Sequence, residues 1–118
     1  MAKFVMLIFQ GNTPLPGTAR WKELPEAEQK AVYADYAQLG KTAGVTQGLP
    51  LGLPSAARTV QVREGKPQVK EGPHLAEGAG GYFVFEAENI EAAIALAARV
   101  PAARLGGAVE IRPAEQYW

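Results

Sequence analysis

The sequence predicts a single α+β domain spanning residues 1–118, and three observations lead to this class. The chain is 118 residues long and 47% hydrophobic, which suits one domain with one core. Segments typical of strands alternate with segments typical of helices. Two of the strand segments, residues 4–9 and 82–85, are apolar at successive positions, as expected of strands buried on both faces.

In the first half, residues 3–9 (KFVMLIF) predict a strand because they are rich in β-branched and aromatic side chains. Residues 12–20 contain two prolines and a glycine and predict a loop. Pro25 suits the first turn of a helix that we expect to end near Lys41. Four residues at helical spacing form its expected buried stripe: Val32, Tyr36, Leu39 and Ala43.

The second half begins with a short predicted strand at 45–49 and a loop rich in proline and glycine at 50–55. Alternating residues flank Glu64-Gly65 and predict a β-hairpin over 59–70. An apolar strand follows at 82–86. Asn89 is a good N-cap for a helix that ends near Val100, before Pro101. The last strand is expected at 108–112.

With the hairpin set aside, the order is strand, helix, strand, strand, helix, strand. This is the ferredoxin-like βαββαβ arrangement, in which the first and third strands are central. Two helices cover only one face of such a sheet. The other face needs a cover, and a second copy of the chain supplies it most simply, so we expect a homodimer.

Composition excludes several functions. Twelve basic residues balance twelve acidic ones, so the chain lacks the positive field that binds nucleic acid. It has no cysteine and one histidine, which argues against a metal cofactor. The longest apolar run, residues 4–9, is too short to span a bilayer, and no signal peptide is recognisable. We therefore expect a cytoplasmic protein with no membrane partner.

Four stretches carry a family resemblance: FVMLIF, ARTVQVREGKPQVKEGP, GGYFVFEAENIEAAIALAARVPAA and AVEIRP. The sequence resembles the YCII-related proteins, in particular the DGPF subgroup, over essentially its whole length. The resemblance implies a dimeric α/β barrel with a small-molecule cleft, and for the subgroup an undefined activity. Where the subgroup reads Asp-Gly-Pro-Phe, this chain reads Glu71-Gly72-Pro73-His74. The histidine of the wider family falls on Tyr33, and its aspartate has no counterpart.

His74 is the leading candidate for chemistry because an imidazole titrates near neutrality. Glu71 and Glu77 lie three residues to either side and could fix its tautomer, giving a general acid or base. The alternative is a solvent-exposed loop histidine. Tyr33 could donate a hydrogen bond to a ligand carbonyl, or it could lie at the edge of the core with its hydroxyl in water.

Two further residues are candidates for substrate binding. Arg58 could bind a carboxylate through its guanidinium, or its charge could prevent another strand from pairing with the sheet edge. Trp21 could line a cleft or hold its loop against the domain. The pairs Gly80-Gly81 and Gly106-Gly107 precede strands, so they predict turns or bulges and not a phosphate-binding loop.

These observations predict a small-molecule-binding homodimer with its cleft between the sheet and the first helix, or at the seam of the dimer. One interpretation is an enzyme of the lyase or isomerase type, with His74 as acid or base and Tyr33 as hydrogen-bond donor. The other is a non-catalytic regulatory or ligand-sensing module.

Overall fold

The computed structural model describes residues 1–75 and 78–117. Its main sheet has four strands in the order β2-β5-β1-β6, with every neighbouring pair antiparallel. The strands are β1 (Ala2–Phe9), β2 (Val45–Gln47), β5 (Ala79–Ala87) and β6 (Ala108–Pro113). The order confirms the ferredoxin-like α+β fold, and it confirms that the two apolar segments form the central strands.

Four helices accompany the sheet: α1 (Ala19–Glu23), α2 (Glu26–Gly40), α3 (Ile90–Ala97) and α4 (Pro101–Arg104). A 3₁₀ turn covers Pro54–Ala56. The helix α1 lies partly in the predicted loop and begins where the Thr18 hydroxyl accepts a hydrogen bond from the Trp21 amide. Asn89 caps α3 as predicted, through the Ala92 amide at 2.9 Å. Pro101 does not end this helix but opens α4, because proline fits a first helical turn.

The core lies between the helices and one face of the sheet. Alternate residues of β1 and β5 point into it, among them Met6 and Phe85, which are almost fully buried. Leu39 of α2 packs on the same face and is 0% exposed. Of the predicted helical stripe, Val32 is also buried and Tyr36 is partly buried, whereas Ala43 lies beyond the helix and is exposed.

The predicted hairpin is present as β3 (Arg58–Arg63) and β4 (Lys66–Glu71), which form a separate two-stranded sheet. Its turn residues Glu64 and Gly65 both have positive φ, 52° and 76°, as a tight two-residue turn requires. The glycine pair in β5 forms a bulge, since Ile8 pairs with Gly81 and Phe9 with Ala79, leaving Gly80 unpaired.

Candidate functional site

The face of the sheet opposite the helices has no covering element from this chain among the described residues. Its centre is apolar and half-buried, with Val5 and Leu7 from β1 and Val84 from β5. The ring of Tyr82 is 41% exposed there. At the β6 edge, the Arg112 guanidinium donates to the Glu110 carboxylate at 2.9 Å. We call this surface the open face.

A shallow depression of about 380 Å³ lies at one corner of the open face. It is lined by Phe9, Leu75, Ala108, Val109 and Glu110. Its lining is mostly apolar with one carboxylate, and it is wide open to solvent, so in the single chain it would not enclose a ligand. Leu75 comes from the loop after β4, and it follows His74 directly in the chain. The loop that carries the predicted acid–base residue therefore borders this open depression.

His74 itself is exposed. Within residues 1–75 and 78–117, no hydrogen bond or ion pair to its imidazole is formed. Glu71 ends β4 and lies directly opposite Arg58 at the base of the hairpin. The Arg58 guanidinium donates to the Ala57 carbonyl at 2.8 Å. Glu77, the other predicted carboxylate partner, lies outside the described residues. The histidine, Glu71 and Arg58 are thus close in the fold, because the loop leaves the hairpin where Arg58 enters it.

Trp21 and Tyr33 form a second group, in the helical layer. Their rings meet edge to face, with centroids 5.4 Å apart and planes at 72°. Trp21 is 8% exposed, whereas Tyr33 is 58% exposed. The Gln29 side-chain amide donates to the Trp21 carbonyl at 2.8 Å and joins α1 to α2. In this structure Trp21 therefore holds its segment against α2. A binding role for either ring stays a prediction.

The structure also contains a charged cluster that the sequence did not indicate. The Arg104 guanidinium donates to the carboxylates of Glu28 and Asp35, both at 2.9 Å. The hydrogen bond to Glu28 is the main reason that the pKa of Arg104 is raised. The partners lie 69 and 76 residues away in the sequence, so only the packing of α4 on α2 brings them together. This cluster stabilises the helical layer.

Burial raises the pKa of the Tyr36 hydroxyl, and the nearby positive charge of Arg104 partly opposes the shift. The ring of Tyr36 lies over the core, 6.4 Å from that of Phe83. Tyr36 is thus a core residue with a protonated hydroxyl, and not part of the surface that Tyr33 presents.

No three His, Asp or Glu side chains of the described residues are grouped in a way that could hold a metal ion. The helices in the described part of the chain are all too short or too polar to cross a membrane.

Strand order, helical layer and inserted hairpin together define a ferredoxin-like α+β domain with one open sheet face. The sequence profile of the YCII-related domain matches residues 6–116, and the chain belongs to the YCII-related domain family. No curated protein matches the sequence.

Proposed function

We propose that this YCII-related domain works as a homodimer that binds a small molecule at the edge of the seam between two open faces. The observation that supports the homodimer is the apolar open face. Half-buried Val5, Leu7 and Val84 form one apolar patch with the ring of Tyr82. A patch of this kind is rarely left in water by a soluble protein.

The ligand position that we propose is the depression beside Leu75. A second copy over the open face would close this depression from above, because Phe9 and Glu110 in its lining belong to the face itself. Enclosure would bury most of a small ligand, as binding sites generally do. The Glu110 carboxylate, already paired with Arg112, would be the polar group that orients it.

His74 is the residue to which we assign acid–base chemistry of the lyase or isomerase type. Its support is its position in a loop, where functional groups are common, directly before Leu75, which lines the depression. A specific observation favours the second candidate, a non-catalytic ligand-sensing module. Neither Tyr33 nor Glu71 hydrogen-bonds to His74 among the described residues, so these two side chains do not fix the tautomer that a general base needs.

The dimer is tested by light scattering or analytical ultracentrifugation at micromolar concentration. The wild-type chain should have twice its monomer mass of 12.6 kDa. Val84→Asp should weaken the dimer by about a hundredfold or more, because an unpaired charge would be buried in the seam. Ala34→Asp, on the exposed surface of α2, is the control and should not change the mass. A wild-type mass of 12.6 kDa across the micromolar range would refute the homodimer.

Ligand binding is tested by native mass spectrometry of the purified protein, followed by a thermal-shift screen of metabolites. A ligand found in this way should bind wild type and Leu53→Asp alike, but not Leu75→Asp. Both leucines are more than half exposed, so neither change should unfold the chain. Equal binding by all three proteins would remove the depression as the site.

Incubation of the ligand with the protein then separates the two candidates. Turnover that falls by a factor of about 10² to 10⁴ in His74→Ala supports the enzyme. A ligand that is bound and released unchanged by the wild type supports the sensor and rules out catalysis of that compound.

A further inference from the structure

The β3–β4 hairpin has two chemically different sides. Cross-strand pairing places Val60 opposite Val69 and Val62 opposite Pro67 on one side. The three valines are 60%, 66% and 66% exposed. The other side is polar and basic, with Arg63 opposite Lys66. The remaining residues of the polar side are Thr59, Gln61, Gln68 and Lys70.

The hairpin extends away from the domain that carries it. All its strand residues except Thr59 are exposed, and none belongs to the core. The Cα radius of gyration is 16.2 Å, whereas a compact chain of this length has about 13.5 Å. At its base the two ends of the hairpin are joined to each other, since the Gly72 amide donates to the Ala57 carbonyl and the Thr59 hydroxyl to the Gly72 carbonyl, both at 2.9 Å. We call it the arm.

We propose that the apolar side of the arm packs on a second copy of this chain, so that in the dimer each copy contacts the other through its own arm. The proposal rests on the homodimer proposed above and assigns it a second contact region. A two-stranded ribbon alone is at best marginally stable in water and needs a surface for its apolar side. A twofold dimer supplies such a surface twice, because each copy both gives and receives an arm.

The area of the open face supports this assignment. Its strands have 8, 3, 9 and 6 residues. With a rise of about 3.3 Å per residue and a strand spacing of about 4.8 Å, the face covers roughly 400 Å² in projection. A stable interface needs about 800 Å² from each partner. Accessible surface exceeds projected area because side chains protrude, so the open face by itself is a small interface by this standard, and a second contact region would enlarge it.

The arms would add a comparable projected area. Each side of an arm, two strands of six residues, covers roughly 200 Å² in projection. Every copy contributes its own arm and a receiving surface for the partner's arm, which adds roughly 400 Å² per chain. The side with Arg63, Lys66 and Lys70 would stay in water, and the charged pair on the apolar side, Arg58 opposite Glu71, lies at the base of the arm.

The test compares two neighbouring residues on opposite sides of the same strand. Val60→Asp places a charge on the apolar side, and Gln61→Asp places the same charge on the polar side. Both residues are exposed in the single chain, so both variants should fold. The dimer dissociation constant, measured by analytical ultracentrifugation, should rise by about tenfold or more for Val60→Asp. For Gln61→Asp it should stay within about twofold of the wild type. Val69→Lys, on the other strand of the apolar side, should behave as Val60→Asp does.

A second measurement uses the absence of cysteine from the natural chain. A maleimide should react more slowly with Val60→Cys than with Gln61→Cys at concentrations where the dimer forms. The two rates should become equal when each protein is diluted until it dissociates. Equal rates at all concentrations, or a dimer equally tight in Val60→Asp and wild type, would overturn the arm alone and leave the open-face dimer intact. A wild-type chain that is monomeric overturns both.

Discussion

Gly107 lies where the start of β6 passes closest to the end of β1, and replacing it should show how tightly this end of the sheet is packed. A Cβ atom built on Gly107 would collide with the Phe9 carbonyl oxygen. It would also lie 2.7 Å from the Gln10 carbonyl oxygen and 2.9 Å from the Thr13 hydroxyl. The backbone of Gly107 has no positive φ, so space and not conformation forbids a side chain here.

The expected cost of Gly107→Ala follows from which atoms must move. Two of the three obstacles are backbone oxygens, which cannot rotate out of the way as a side chain could. Overpacking of this kind typically costs about 1–3 kcal/mol, and we expect the upper end of that range. For a chain of this size each kcal/mol shifts Tm by about 4 °C, so Tm should fall by about 12 °C.

Gly52→Ala is the matched control. A Cβ there would meet only the Ala56 methyl group, at 3.9 Å. Alanine reduces the entropy of the unfolded chain, so this variant should be neutral or more stable by about 0.4–1 kcal/mol. The assay is thermal and urea unfolding followed by circular dichroism. The reasoning is refuted if both variants melt within one or two degrees of the wild type, since the close approach would then not exist.

Three further predictions concern the core and the helical layer. Leu39→Ala should lower the free energy of unfolding in urea by about 3–4 kcal/mol, because the Leu39 side chain is 0% exposed. Leu49 is 77% exposed, so Leu49→Ala should leave this free energy within about 0.5 kcal/mol of the wild type. Arg104→Gln should lower the free energy of unfolding by about 0.5–1.5 kcal/mol, since both ion pairs of Arg104 are partly exposed. In 1 M salt most of this difference between variant and wild type should disappear. Burial raises the pKa of Tyr36 in the folded chain. Its contribution to the free energy of unfolding is therefore complete below the unfolded pKa of about 10 and is lost as pH rises through the folded pKa. The loss is at most about 1.4 kcal/mol per pH unit. Tyr36→Phe should lack this part of the alkaline loss, so a stability difference from wild type that stays constant between pH 8 and 11 would contradict the prediction.

The sheet could be predicted because central strands that are apolar on both faces have a recognisable sequence pattern, although in the single chain only one of these faces is fully buried. Residues 4–9 and 82–85 are apolar without alternation, which only central strands require, and both are central in the structure. The hairpin was predictable from its Glu-Gly turn, and the cap of α3 from Asn89, since both are local signals. The short helix α4 was missed because Pro101 suits a helix start as well as a helix end, and the sequence alone does not choose between them.

The candidate site was only partly predictable because its parts meet through tertiary packing. The loop with His74 was recognisable as a loop, but its position beside Phe9 and Ala108 depends on where the hairpin returns the chain. Leu75 is an apolar residue in a loop, next to the only histidine, and this pattern could have indicated that the loop packs against the sheet. Nothing local could have indicated the Arg104 cluster, since its partners are 69 and 76 residues away.

The sequence pattern of the arm and its exposure in the single chain disagree. Alternating polar and apolar residues such as TVQVR at 59–63 are typical of a strand with one buried face. The strand forms as the pattern predicts, yet Val60 and Val62 remain more than half exposed. A pattern that specifies burial, in a chain that leaves this side exposed, is the observation from which we propose that a second copy covers it. The open face of the sheet is apolar and only half-buried, and in the proposed dimer one twofold partner would cover both surfaces at once.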